Sequence, residues 1–171
     1  MVHDLEGAAF VEAAERFRAE RRSFYLSPER WTNSRVNFQL EWSEVKFDDQ
    51  NKNNIPDKKG IYAFVVKHPN NHFPPHGYIM YIGITGSLSA DRTLKKRFRD
   101  YLYEQRRNKR PKVHYMLHKF TDNLYFNYVA IEDDDQIDLA QLEIDLNDAL
   151  VPPVGRKDFS AELKAIRDAL A

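Results

Sequence analysis

The sequence predicts an α+β fold with a small antiparallel sheet, and three observations carry the prediction. Two runs, GIYAFVV (60–66) and GYIMYIGI (77–84), are rich in β-branched and aromatic residues and bounded by turn formers, as strands are. A third run, LYFNYVAI (124–131), has the same character. Helical patterns fall around these runs without a regular strand–helix–strand repeat, which favours one antiparallel sheet.

The elements follow in order. Residues 4–26 read as a helix, because Leu5, Ala9, Val11 to Ala13, Phe17 and Phe24 recur among Glu and Arg at near-helical spacing. Pro28 ends that stretch. VNFQLEWSEVKF (36–47) alternates apolar and polar, as a strand or an extended segment does. DDQNKNN (48–54) reads as a polar linker, dividing an N-terminal helical and extended appendage, 1–54, from a compact domain, 55–171. The loop 67–77 carries His68-Pro69-Asn70-Asn71 and Pro74-Pro75-His76-Gly77, so the first two strands form a hairpin with a long connection. Helices are expected over about 91–106 and near 112–120. DDQIDLAQLEIDLNDAL (134–150) reads as another, stopped by Pro152-Pro153, and a last one covers about 159–170.

A chain of 171 residues with 42% hydrophobic content can form one compact domain with an appendage. Its formal net charge is zero, but the charges are segregated. From Arg92 to Lys112 there are ten basic residues against Asp100 and Glu104, and from Glu132 to Asp148 eight acidic residues and no basic one. The basic block suits a phosphate backbone; two solvated helix faces that offset each other would look the same. The absence of cysteine excludes disulfides, thiolate zinc sites and cysteine nucleophiles. The N-terminal residues do not read as a signal peptide, and no apolar run approaches the roughly 20 residues that span a bilayer. A cytoplasmic protein with no membrane partner is the expectation.

Several residues could do chemistry. A tyrosine near a glycine on each of two adjacent strands could set two phenols side by side, and a phenol is a workable acid or base; buried tyrosines also simply pack. On the basic helix, Leu94, Phe98, Tyr101 and Leu102 form an apolar stripe that Arg97 borders. Arg97 is either a phosphate clamp or a cation whose stem covers apolar surface. On the acidic helix, Glu143 falls between the arc of Leu139, Leu142, Leu146 and Leu150 and that of Ile137, Ala140 and Ile144. A carboxylate so placed needs a partner. Arg97 could serve as a structural ion pair, or a hard cation such as Mg²⁺, which takes one or two carboxylates and keeps several waters.

A GIY strand, a YIG strand, an arginine on the next helix and a glutamate on a later helix followed by proline resemble the GIY-YIG nuclease family, over about residues 55–155. The resemblance implies an α/β sandwich around a central three-stranded antiparallel sheet. It also implies a metal-dependent endonuclease that hydrolyses phosphodiester bonds in DNA. Under it, Tyr62 is the general base on the attacking water, Tyr81 supports it and orients the substrate, and Arg97 clamps the scissile phosphate. Tyr101 occupies a position where the family has tyrosine or histidine, and Glu143 is the only protein ligand of one Mg²⁺ (or Mn²⁺). Lys95, Lys96, Arg97, Arg106, Arg107, Lys109, Arg110 and Lys112 are the expected DNA contacts.

The chain departs from the family at three places. The 67–77 connection is long, Ile84 stands where the family often has lysine, and Gly155 lies near the spot of an asparagine that usually follows the glutamate and proline. Asn147, one turn after Glu143, either replaces that amide or is an ordinary surface residue. The last two departures define the alternative, a catalytically weak or inactive domain of this type serving as a nucleic-acid-binding or regulatory module. A third reading is an interaction domain whose residues 1–50 dimerise and whose tyrosines pack; a homodimer through the N-terminal region is compatible with all three. His68, His72 and His76 are separated by prolines, and His114 and His118 have Tyr115 where a zinc hydrolase motif needs glutamate. Tyr125, Phe126 and Tyr128 either stack on bases or form the packed faces of the third strand.

Overall fold

The computed structural model describes residues 8–34, 36, 39–70, 74–87, 89, 91–132, 137–155 and 159–169. Four extended segments pair: β1 (Ser43–Lys46), β2 (Gly60–Val66), β3 (Tyr78–Thr85) and β4 (Leu124–Ala130). Their order is β1-β4-β2-β3, and every neighbouring pair is antiparallel. The sheet therefore has four strands where three were expected. Among the described residues of the alternating run 36–47, Ser43–Lys46 join it, with Ser43 opposite Tyr128 and Lys46 opposite Tyr125. The reason is Phe47. It is 2% exposed, with its ring edge-on to Phe64 at 5.1 Å and to Phe98 at 4.9 Å, and that anchor lays the preceding residues along β4.

β2 lies inside the sheet and is buried on both faces, so it reads as an almost continuous apolar run. Tyr62 and Phe64 point to one face, Ile61 and Ala63 to the other. The helices α3 (Leu94–Arg107) and α4 (Pro111–Lys119) cover the first face with Leu94, Phe98, Tyr101, Val113, Met116 and Leu117. α5 (Leu139–Leu150) covers the second with Leu139, Leu142 and Leu146. Each such side chain contributes about 1.5–3 kcal/mol on burial. The β2–β3 register shifts between Phe64 and Val65, leaving Met80 as an extra residue on β3. Met80 and Tyr81 consequently both pack toward the α3 face.

Outside this core, the helix expected over 4–26 is, among the described residues, α1 (Ala8–Glu20), with 4–7 lying outside them, followed by a short α2 (Pro28–Thr32). α1 buries no side chain, and Phe10, Val11 and Phe17 are exposed. The 48–54 stretch is a 3-10 turn, Asp49–Asn53, not a linker. Asp48 caps it by accepting from the Asn51 N–H at 3.0 Å, and Arg99 donates to Asn53 at 3.2 Å. Ser43–Lys46 and Phe47, on the N-terminal side of the boundary expected at residue 54, belong to the sheet and its core. The last helix is α6 (Ala161–Ala169), whose Leu163 packs with Val151 and Phe159. Residues 133–136, expected to open the acidic helix, lie outside the described residues; α5 begins after Asp138, which caps it. Among the described residues, no helix is long and apolar enough to cross a membrane.

Candidate active site

The two glycines of the paired tripeptides are set by close approach. A β-carbon at Gly60 would run into the carbonyl of Val129 on β4. At Gly83, directly opposite Tyr62, a β-carbon would stand 2.5 Å from the Tyr62 hydroxyl oxygen and 2.7 Å from Cζ. Gly83 is thus the space the phenol occupies. The Tyr62 ring is wholly buried, stacked on Phe126 at 5.2 Å and tilted toward Tyr81 at 6.2 Å.

α3 brings the next two groups. Thr93 caps it, and Leu94, Phe98 and Leu102 seat it on the sheet, which fixes the opposite edge of the stripe against β2 and β3. Arg97 Nε donates to the Tyr62 hydroxyl at 3.1 Å, and the Tyr101 hydroxyl lies 2.9 Å from the same oxygen. Arg97 is therefore tied to a phenol; its side chain keeps 24% exposure, with Asp100 at 4.0 Å. Tyr81 is half-buried, its ring 6.2 Å from those of both Tyr62 and Tyr101. The structure brings all four of these residues together.

The electrostatics of the cluster oppose an easily formed phenolate. Burial, then the Tyr101 and Tyr81 phenols, push the Tyr62 hydroxyl well above the usual tyrosine range, and Arg97 pulls it down without overcoming them. That direction favours the protonated phenol over the phenolate. Burial works against the charge on Arg97, but the Tyr62 and Tyr101 oxygens outweigh it and its pKa is raised. The cation is permanent.

Glu143 arrives from the other face. It is half-buried on α5, and its Oε1 accepts the N–H of Ile84 at 3.1 Å. Tyr62 pairs with Gly83, the residue before Ile84, so the α3 groups at the Tyr62 hydroxyl and the α5 carboxylate at Ile84 meet the adjacent strands β2 and β3. Among the described residues, no three His, Cys, Asp or Glu side chains converge. The available donor set is one hard carboxylate, which suits a cation that fills its shell with water and phosphate oxygens. Asn147 is not a surface residue. It is fully buried, its Nδ2 donates to the Glu143 main-chain carbonyl at 2.8 Å, and its Oδ1 has no partner among the described residues. That oxygen sits beside Gly155, where a β-carbon would be 3.4 Å away.

The expected DNA contacts lie on α3, the turn after it and the start of α4. Lys96, Arg106, Arg107, Lys109 and Lys112 are exposed, and Lys95 is half-buried. Arg110 differs from them. Its Cζ is 4.9 Å from the centre of the Tyr101 ring, and Glu104, 7% exposed, accepts its backbone N–H at 2.6 Å. Sequence reasoning did not single out Glu104, although Arg97, Tyr101 and Glu104 at i, i+4 and i+7 share one helix face.

The remaining candidates have ordinary structural places. His114 Nδ1 lies 3.0 Å from the Glu104 carbonyl and His118 Nε2 2.6 Å from that of Gln105, tying α4 to the end of α3. Phe126 is fully buried, and Tyr125 and Tyr128 are half-buried in the sheet. His68 and His76 contact nearby loop carbonyls, and His72 lies outside the described residues. In comparisons with known proteins, no family model, curated protein or solved structure matches the chain.

Proposed function

We propose that the chain is a metal-dependent endonuclease of the GIY-YIG type that hydrolyses phosphodiester bonds in DNA. The observation that carries this reading is the meeting of these groups on the adjacent strands β2 and β3, at Tyr62 on one and Ile84 on the other. Tyr62, Tyr101 and Arg97 are hydrogen-bonded beside Gly83, and Glu143 binds the backbone of the next residue, Ile84.

In this reading Arg97 holds the scissile phosphate and stabilises the charge that develops on it. Its Nε is committed to Tyr62, which orients the two terminal nitrogens for the phosphate. A phenol has one proton and two lone pairs. Arg97 Nε donates to the Tyr62 oxygen, and Tyr101 shares a hydrogen bond with it in which either hydroxyl can donate; once Tyr62 has lost its own proton to solvent, the phenolate so held takes the proton of the attacking water. Tyr81 borders the same space and orients the substrate. The residue fitted to hold Mg²⁺ (or Mn²⁺) is Glu143; such an ion supplies positive charge that favours deprotonation of water and neutralises the leaving oxygen. The exposed basic residues hold the flanking backbone, a contact that weakens with salt.

The burial that keeps Tyr62 protonated favours a second reading, a weakly active or inactive domain that binds nucleic acid. Incubating supercoiled plasmid with the protein and Mg²⁺ or Mn²⁺ separates the two. Nicking that stops on chelation supports the nuclease; salt-sensitive binding without nicking supports the binding module. The exposed Phe10, Val11 and Phe17 of α1 are the surface we assign to self-association. Sedimentation should show a dimer that becomes a monomer when residues 1–26 are removed, and a monomeric full chain would refute it.

A further inference from the structure

Arg110 and Glu104 are held at the same phenols as Arg97, by a different route. Glu104 stands one turn beyond Tyr101 on α3 and is almost fully buried. A buried carboxylate is retained only where it is paired and hydrogen-bonded. Here Oε1 accepts the Arg110 backbone N–H at 2.6 Å and Oε2 lies 3.5 Å from Arg110 Nε. Asn108, left-handed at φ 45°, turns the chain after α3 so that Arg110 folds back onto that helix. One carboxylate thus fixes both the backbone and the side chain of Arg110.

The guanidinium so fixed does not point into open solvent. Its Cζ is 4.9 Å from the Tyr101 ring centre, and the Cζ of Arg97 is 5.8 Å from the same centre. Burial works against the charge on Arg110, yet the Tyr101 oxygen, then Glu104 and Tyr81, hold its pKa above the ordinary value. The side chain is 41% exposed, so its remaining donors can reach a ligand. Lys96, Arg106, Arg107, Lys109 and Lys112 are more exposed, whereas Arg110 is seated against the Tyr101 ring.

We infer that Arg110 is a second phosphate-binding cation of this site and that Glu104 is the residue that positions it, so that one phosphate is gripped by both Arg97 and Arg110 beside Tyr101. The nuclease reading enters only in saying that this phosphate belongs to DNA. Two guanidinium forks give bidentate, directional contacts that a mobile lysine cannot reproduce.

The test uses inorganic phosphate as the probe and the full chain labelled with ¹⁵N. The Nε–Hε signals of Arg97 and Arg110 should shift together along one saturation curve. Arg110→Gln should weaken phosphate binding about tenfold, Arg110→Lys should restore part of that loss, and Lys164→Ala, on α6, should change nothing. Phosphate that shifts Arg97 alone, or unchanged affinity in Arg110→Gln, overturns the inference. Glu104→Gln keeps an acceptor for the Arg110 N–H, so the turn is retained. It should move the Arg110 Nε–Hε signal, weaken phosphate binding about threefold and, in the nicking assay, raise KM by a similar factor. An unmoved signal with unchanged affinity removes the positioning role. A wild type that binds phosphate in this way but never nicks DNA refutes the nuclease reading and leaves the two-arginine grip standing.

Discussion

At Tyr62 the Tyr101 hydroxyl and the Arg97 guanidinium meet one phenolic oxygen inside a fully buried ring stack. Because burial raises its pKa, the folded chain holds the Tyr62 proton more tightly than the unfolded chain does. The linked stability is fully present below about pH 10, the ordinary tyrosine value, and is lost as pH rises through the higher folded pKa. Thermal melts across the alkaline range should show this loss, and Tyr62→Phe should flatten it; identical alkaline profiles would contradict the assignment. Gly83→Ala puts a β-carbon into the phenol and should cost about 1–3 kcal/mol in a urea melt, with nicking lost. An unaltered melt would mean the ring can move aside freely. Tyr62, Arg97 and Tyr101 were legible in the sequence because strand alternation and helix spacing fix which face each residue takes. Arg110, Glu104 and Asn147 were less so. Their roles depend on a left-handed turn and on helix ends that meet only in the folded chain.

Elements show the same division. β2, β3 and β4 announce themselves by composition, and α3 by a stripe whose members all reach the core. β1 is harder, since alternation across 36–47 does not say which end pairs. The decision falls to Phe47, whose burial against Phe64 and Phe98 is a tertiary fact. Phe47→Ala should therefore destabilise the whole domain by about 3–5 kcal/mol, as a core aromatic does, and not by the few tenths expected of a linker residue. Urea denaturation checks this directly. The turn Asp49–Asn53 misled for a related reason. Asp and Asn are linker-like in composition, yet the Asp48 carboxylate organises them into a capped 3-10 turn against α3.

For the whole molecule, the segregation of charge places a basic surface on the α3 side of the sheet and acidic residues on α5. If the basic side binds a DNA backbone, removing two exposed cations, Lys109→Ala with Lys112→Ala, should reduce the slope of log affinity against log salt by up to about two. An unchanged slope would place the DNA elsewhere. The more direct demand falls on the centre, where the two faces of the sheet deliver Arg97 to Tyr62 on β2 and Glu143 to Ile84 on the adjoining β3. The decisive measurement is the initial rate of plasmid nicking in Mg²⁺ for the wild type, Arg97→Ala and Glu143→Ala, with DNA binding measured in parallel. The wild type should nick, and both variants should be slower by about 10²-fold or more while Glu143→Ala still binds DNA. A wild type that does not nick, or variants that nick at its rate, would contradict the proposed site.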